Sequence, residues 1–437
     1  MLRTLDLRER DLSDAELRAT LPRPAVDVAA ASAAASDLVN AVRERGEEAL
    51  REQAERFDGG APAEFRVQPD ELERAVSSLD ATVRAGLEEM IRRVRAASQA
   101  QVPPSTRTEI APGAVITQRW QPVDRVGLYV PGGKAVYPSS VVMNAVAAQT
   151  AGVNELVIVS PPQASAGGGV HPTILAACAL LGVTEIYAIG GAGAIGALAY
   201  GVEEIGLRPV NLITGPGNVW VAAAKRAVSS IVGIDAEAGP TEILVIADAT
   251  ADAELVASDL LSQAEHDEMA ASLLVTPDVD FAHEVTATLT RLVSSTKHRE
   301  RATTALTGTQ SAVVLVDDLA QAARVSNAYA PEHLEIQTID DTATLSDITS
   351  AGAIFVGANS PVPLGDYLAG SNHVLPTGGQ AGHTAGLGAH TFLRAQQIIE
   401  YDRQALAEAA DHVVALAGAE DLPAHGDCVR ARFTDGA

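Results

Sequence analysis

Aromatic residues are scarce: Phe, Trp and Tyr make up 3% of the 437 residues, so any core must be built mostly of Ala, Val, Leu and Ile. Cysteine is scarcer still. Cys178 and Cys428 stand alone, with no CxxC pair, which excludes a disulfide framework. Cys178 lies in the apolar run from Ile174 to Leu181 and is expected to be buried packing. No window approaches 18 uncharged apolar residues, so no membrane span is expected. The start, Met1 to Asp11, lacks the apolar stretch of a signal peptide, and a reducing cytoplasm is the expected setting. Positive charge is also short: 31 basic against 56 acidic residues give a net charge of −25. Nucleic acids and anionic membranes need basic patches and are not expected partners.

What is present is ordinary globular material, 47% hydrophobic and 20% charged, in a chain long enough for two or three domains. Residues 1–110 carry helical periodicity, over Ala29–Leu50 and Glu71–Gln101, with a loop at Gly59-Gly60 and Ala61-Pro62-Ala63, and show no visible chemistry. From Val126 the texture changes. Short apolar runs at Val126–Val130, Leu156–Val159, Ile186–Ile189 and Val210–Thr214 alternate with Ala-rich helical stretches. A second block repeats this with strands at Ile243–Ala247, Leu273–Thr276, Ala312–Val316, Leu334–Gln337 and Ala353–Val356. Such alternation marks βαβ units and parallel sheets, and ligands are expected beyond the carboxyl ends of the strands. After Asn359 the chain turns loop-rich, with one more helix from Tyr401 to Ala417.

Three glycine-bearing loops lie between strand and helix: Tyr129-Val130-Pro131-Gly132-Gly133, Gly190 to Gly196, and Gly215-Pro216-Gly217-Asn218. Glycine there lets backbone approach a phosphate at a helix N-terminus. Gly191, Gly193 and Gly196 match G-x-G-x-x-G, yet Val210–Thr214 runs into Gly215 without the acid that holds ribose in the standard fingerprint. Tight strand–helix packing explains the same glycines.

Four polar stretches could carry chemistry. Ser258 to Glu268 forms an amphipathic helix that puts Gln263 and His266 three apart on one face, as two corners of a metal site or as a solvated surface. Glu332 and His333 sit before a strand, where a neutral imidazole can take a proton and a carboxylate can orient water; a capped turn is the bland alternative. Asp366 lies among small and apolar neighbours and needs a partner, and nearby His373 is either a ligand or a turn cap. His425, held by a Pro-bearing turn near the end, is a reaching ligand or a surface residue.

Together these blocks resemble the histidinol dehydrogenase family from about residue 24 to 433, through Val126 to Gly133, Tyr137 to Asn144, Thr214 to Asn218, Ala238 to Glu242, Ser258 to His266, Pro331 to Leu334, Gly365 to Tyr367, Ser371 to Thr377 and the Glu420…His425 tail. The resemblance implies one zinc per subunit on Gln263, His266, Asp366 and His425, an acid/base pair at Glu332 and His333, and substrate contacts from Thr241, Glu420, His333 and the metal ligands. It implies NAD contacts at Tyr129, Asn218 and the Gly193 position, where many members carry Gln; Thr241 replaces a common Ser. The implied activity is oxidation of L-histidinol through L-histidinaldehyde to L-histidine with two NAD, the last steps of histidine biosynthesis. The implied assembly is a homodimer with Glu420 and His425 serving the partner's site. The expected architecture is α/β, with two incomplete, doubly wound Rossmann-like domains of parallel sheet, an N-terminal helical arm and a dimer-swapped C-terminal tail. Its expected parts are residues 1–25 as the arm, 26–128 with 242–375 as the larger domain, 129–241 as the NAD-binding domain, and 376–437 as the tail. The rivals are a paralogous zinc/NAD dehydrogenase of another small amino alcohol or diol, and a non-catalytic zinc or nucleotide-binding protein.

Overall fold

The computed structural model describes residues 1–24, 28–132, 136–236 and 239–433. Its strands are β1 (Arg3–Asp6), β2 (Thr106–Ala111), β3 (Ala114–Pro122), β4 (Arg125–Tyr129), β5 (Glu155–Ser160), β6 (Glu185–Ala188), β7 (Leu212–Thr214), β8 (Gly233–Ile234), β9 (Glu242–Ala247), β10 (Ala271–Thr276), β11 (Ala312–Leu315), β12 (His333–Gln337), β13 (Ala353–Val356) and β14 (Leu393–Tyr401). Two compact units result: residues 1–101 with 124–392, and residues 102–123 with 393–437.

The first unit contains two parallel sheets. One runs β1-β11-β10-β9-β12-β13, the other β6-β5-β4-β7-β8. The expected strands of both alternating blocks are all present, as β4 to β7 and β9 to β13. Their continuous apolar runs follow from burial on both faces: every residue of β9, β10 and β12 is buried. Each sheet winds outward from a central pair, β4 with β7 and β9 with β12, and at these points the connections part to opposite sides. Helix Ala253–Ala264, capped by Asp252, lays Val256, Ala257, Leu260 and Ala264 onto the six-stranded sheet. Cys178 is fully buried, as expected, and burial pushes its thiol pKa upward.

Residues 1–24 differ from the helical arm expected over 1–25, of which residue 25 lies outside the described residues. Helix Asp14–Thr20 is there, but Arg3–Asp6 adds an edge strand to β11. The sequence Arg-Thr-Leu-Asp is too short and too polar for periodicity to show it, since an edge strand takes its stability from a ladder made 309 residues away (Arg3 with Ala312).

The second unit is an antiparallel sheet, β14-β3-β2, with helices Arg403–Ala419 and Pro423–Arg430. The expected loop-rich tail thus contains a nine-residue strand. Its strands escaped notice because they alternate poorly: all but one residue of β2 is exposed, as are most of β14. Among the described residues no helix is long and apolar enough to cross a membrane.

Candidate active site

Glu332 and His333 stand at the amino end of β12, beside the amino end of β9 in the parallel register His333 to Ile243. The candidate pair thus lies at the amino edge of this sheet and not at the carboxyl edge, where ligand groups were expected. Helix Ala253–Ala264 returns from the carboxyl edge, so its own C-terminus, with Gln263 and His266, arrives at the amino edge where Glu332 lies. Ala330 ends helix Leu319–Tyr329 in the left-handed region (φ 47°) and turns the chain sharply into Pro331-Glu332. Gly352 packs under that turn, where a Cβ would lie 2.6 Å from the Glu332 carbonyl oxygen.

A hydrogen-bond chain links four of the predicted residues, Gln263, Thr241, Glu332 and His333, by way of the Glu242 backbone. The Gln263 amide donates to Thr241 Oγ1 at 2.5 Å, and that hydroxyl donates to Glu332 Oε2 at 2.5 Å. The Glu242 backbone N–H also donates to Glu332 Oε2, at 2.9 Å. His333 Nδ1 lies 3.0 Å from the Glu242 backbone carbonyl and 3.5 Å from Glu332 Oε2. A carbonyl only accepts, so Nδ1 holds the proton and Nε2 presents a lone pair, the tautomer a general base needs. Both hydrogen bonds that Glu332 accepts from described residues fall on Oε2, leaving Oε1 uncommitted among them.

Asp366 lies on the short helix Val362–Tyr367. Gly365 is required there because a Cβ would come 2.6 Å from the Phe355 ring, and that ring sits 6.1 Å from the His333 imidazole. His373 is a turn cap: Nδ1 donates to the Asp366 carbonyl at 3.0 Å, and Nε2 accepts from Ser140 at 3.4 Å. Burial lowers its pKa, opposed by Asp366 and reinforced by His333 and His266, so these four groups share one locality. Gln263 is 2% exposed and spends its amide N–H on Thr241, which frees its carbonyl oxygen. That oxygen, His266 and Asp366 could hold a divalent ion; among the described residues no three His, Cys, Asp or Glu side chains cluster for one. Glu420 and His425 belong to the second unit, where both are exposed.

Sequence reasoning missed the support behind the pair. Glu242 is 1% exposed, and Arg23 Nη1 binds its Oε1 at 2.6 Å with Gly378 N–H at 3.3 Å. Burial pushes the Glu242 pKa up to about 7, against the pull of Arg23. The Arg23 guanidinium lies 3.9 Å over the Tyr329 ring and also donates to the Tyr329 carbonyl. An acid heading the apolar run Glu242–Ala247 was a visible signal; Arg23, 219 residues away, gave none.

The five-stranded sheet follows the carboxyl-end rule. A cleft of about 910 Å³ opens there, lined by Tyr129, Gly132, Gly190, Gly191, Asn218 and Trp220 among others. Tyr129 is buried, its hydroxyl accepts from Gly191 N–H at 3.3 Å, and burial raises its pKa to about 12. Asn218 caps helix Val219–Val228 with its side-chain oxygen, leaving its amide N–H free. Gly193 is absent from the lining and lies within helix Gly191–Tyr200, where a Cβ would meet Gln53 Oε1 at 2.6 Å. A Cβ on Gly196 would stand 3.2 Å from the Val39 backbone. Close helix packing is thus what the second and third glycines of G-x-G-x-x-G serve.

The family model for histidinol dehydrogenase matches residues 21–433. A histidinol dehydrogenase of Leifsonia xyli subsp. xyli is 63% identical over 434 residues, covering 99% of this chain and 100% of that one. One of Thermobifida fusca is 59% identical over 429 residues, covering 98% and 97%. The crystal structure of histidinol dehydrogenase from Elizabethkingia anophelis superposes with a TM-score of 0.91 at 30% identity, covering 99% of this chain and 98% of that one. An α/β chain so closely matched in sequence and in fold belongs to the histidinol dehydrogenase family.

Proposed function

We propose that this enzyme oxidises L-histidinol through L-histidinaldehyde to L-histidine, using two NAD per turnover and one zinc per subunit. The observation that carries this is the chain Gln263–Thr241–Glu332–His333, which ties a metal-ligand candidate to an acid/base pair through three contacts. Gln263, His266 and Asp366 would hold the metal, joined by the partner subunit's His425. Two oxygens and two imidazoles suit zinc. The metal, when bound, supplies a template for the substrate's amine and imidazole, and NAD accepts the hydrides.

The remaining steps belong to the chain. His333 Nε2 takes the alcohol proton as hydride leaves the carbinol carbon, giving the aldehyde. Glu332 Oε1 then draws a proton from water as its oxygen adds to the aldehyde carbon, while His333 returns its proton to the carbonyl oxygen, so that the hydrate forms and His333 is again free to act as a base; Glu332 gives its proton up to solvent. His333 takes a hydroxyl proton of the hydrate as the second hydride leaves, and the acid results. Thr241 holds Glu332 in place, and its hydroxyl with Glu420 of the partner would contact substrate. Tyr129 and Asn218 would contact NAD, whereas Gly193 offers it no side chain. Exposed apolar residues on the second unit, Ile110, Ile399 and Leu416, support a homodimer built through that unit. The test is an assay of zinc-replete protein that counts NADH formed per histidinol consumed. Two is expected; one, or none, overturns the assignment.

A further inference from the structure

The nucleotide fingerprint lacks its ribose acid, yet the cleft contains an acid from elsewhere. Asp58 caps the C-terminus of helix Glu47–Phe57 and lines the cleft. Its carboxylate makes no hydrogen bond or ion pair with any described residue, and burial raises its pKa to about 6. It faces Tyr129, whose ionisation it opposes. Its Oδ1 lies 3.3 Å from where a Cβ on Gly190 would stand, so the absent side chain at Gly190 leaves room for the carboxylate beside the start of helix Gly191–Tyr200.

A half-buried carboxylate without a cation demands hydrogen-bond donors from whatever fills the cleft. A dinucleotide offers a neutral set of adjacent donors, the vicinal hydroxyls of a ribose. Its pyrophosphate would be repelled by Asp58 and is better served by the helix start, where Tyr129 takes the N–H of Gly191 and those of the next residues remain. Two aromatic side chains that line the same cleft, Phe57 (56% exposed) and Trp220 (42% exposed), give faces for a planar base.

We propose that Asp58 is the specificity residue of this cleft: its carboxylate accepts the hydroxyls of a dinucleotide ribose and repels a ribose phosphate, so that NAD is taken and NADP refused. This rests on the reading of the enzyme as NAD-dependent. The role of the missing strand-end acid is thereby filled from a helix that precedes the sheet in sequence.

The experiment compares the parent with Asp58→Asn and Asp58→Ala in steady-state oxidation of histidinol with NAD or NADP, and measures NAD and NADP binding by calorimetry. In Asp58→Asn, KM for NAD should rise about tenfold with kcat within twofold, because the residue binds cofactor and touches no reacting atom. The ratio of kcat/KM for NADP over NAD should rise at least tenfold. The Asp58 carboxylate makes no hydrogen bond or ion pair with a described residue that either variant would break, and equal melting temperatures will verify this. An unchanged KM and an unchanged NADP ratio, in a parent that binds NAD, overturn the ribose assignment alone. A parent that binds no NAD overturns the cofactor reading together with it.

Discussion

At the residue scale, the division of work proposed for Glu332 and His333 rests on the atoms their hydrogen bonds to described residues leave over: one carboxylate oxygen on the first, one ring nitrogen on the second. Glu332→Gln keeps the contact to Thr241 but removes the base that serves water. It should slow aldehyde oxidation about a hundredfold, within the range of general-base effects, and alcohol oxidation far less. Separate assays on histidinol and histidinaldehyde measure this, and equal losses count against the division. His333→Asn should cripple both steps while zinc content, read by atomic absorption, stays normal. Away from the site, burial raises the pKa of Glu335, and the nearby carboxylate of Asp259, itself raised, adds to it. Glu335 is therefore protonated in the native state where the unfolded chain would be ionised. Its stability contribution is complete below the ordinary carboxylate range and is lost as pH climbs above that range through the raised value. Glu335→Gln should remove this alkaline loss, so melting curves of parent and variant should diverge as pH rises; parallel pH profiles would refute it.

At the scale of elements, the loop at Gly215 owes its shape to anchors outside it. Gly215 has φ +116°, and a Cβ would lie 2.1 Å from the Tyr129 carbonyl oxygen, so the ends of β4 and β7 touch through backbone. Lys225, 1% exposed, reaches back from helix Val219–Val228 to the Gly215 carbonyl and to Asp235, both at 2.6 Å. Asp235 completes the ring by accepting from Gly215 N–H at 2.8 Å. Lys225→Met would leave Asp235 buried without a cation, at a cost of about 3–5 kcal/mol. Chemical denaturation measures that loss, and the double variant Lys225→Met, Asp235→Leu should recover part of it. The glycines of Thr214 to Asn218 were legible in the sequence; the lysine behind them was not, because a cation in the helix Val219–Val228 looks like any solvated residue.

At the scale of the whole molecule, the proposed dimer makes a prediction that single-chain chemistry does not. His425→Ala should lower zinc affinity. Mixing it with Glu332→Gln should restore part of the activity, since one hybrid site would then combine an intact Glu332 with an intact partner's His425; no recovery argues against the shared site. The amino-acid sequence by itself determined the two alternating blocks, because strands buried on both faces must be apolar throughout, and β9, β10 and β12 are. It also singled out the side chains proposed to carry chemistry, not one by one, since each had a bland alternative, but through the series of blocks that resemble the histidinol dehydrogenase family. Tertiary structure alone decided that Glu332 and His333 lie at the amino edge of their sheet, that Arg23 braces Glu242, and that Asp58 enters the cleft at the carboxyl edge of the five-stranded sheet. Each of these depends on contacts between segments far apart in the chain. Periodicity records only a residue's own element, and nothing local distinguishes such a residue until the fold brings its partner near.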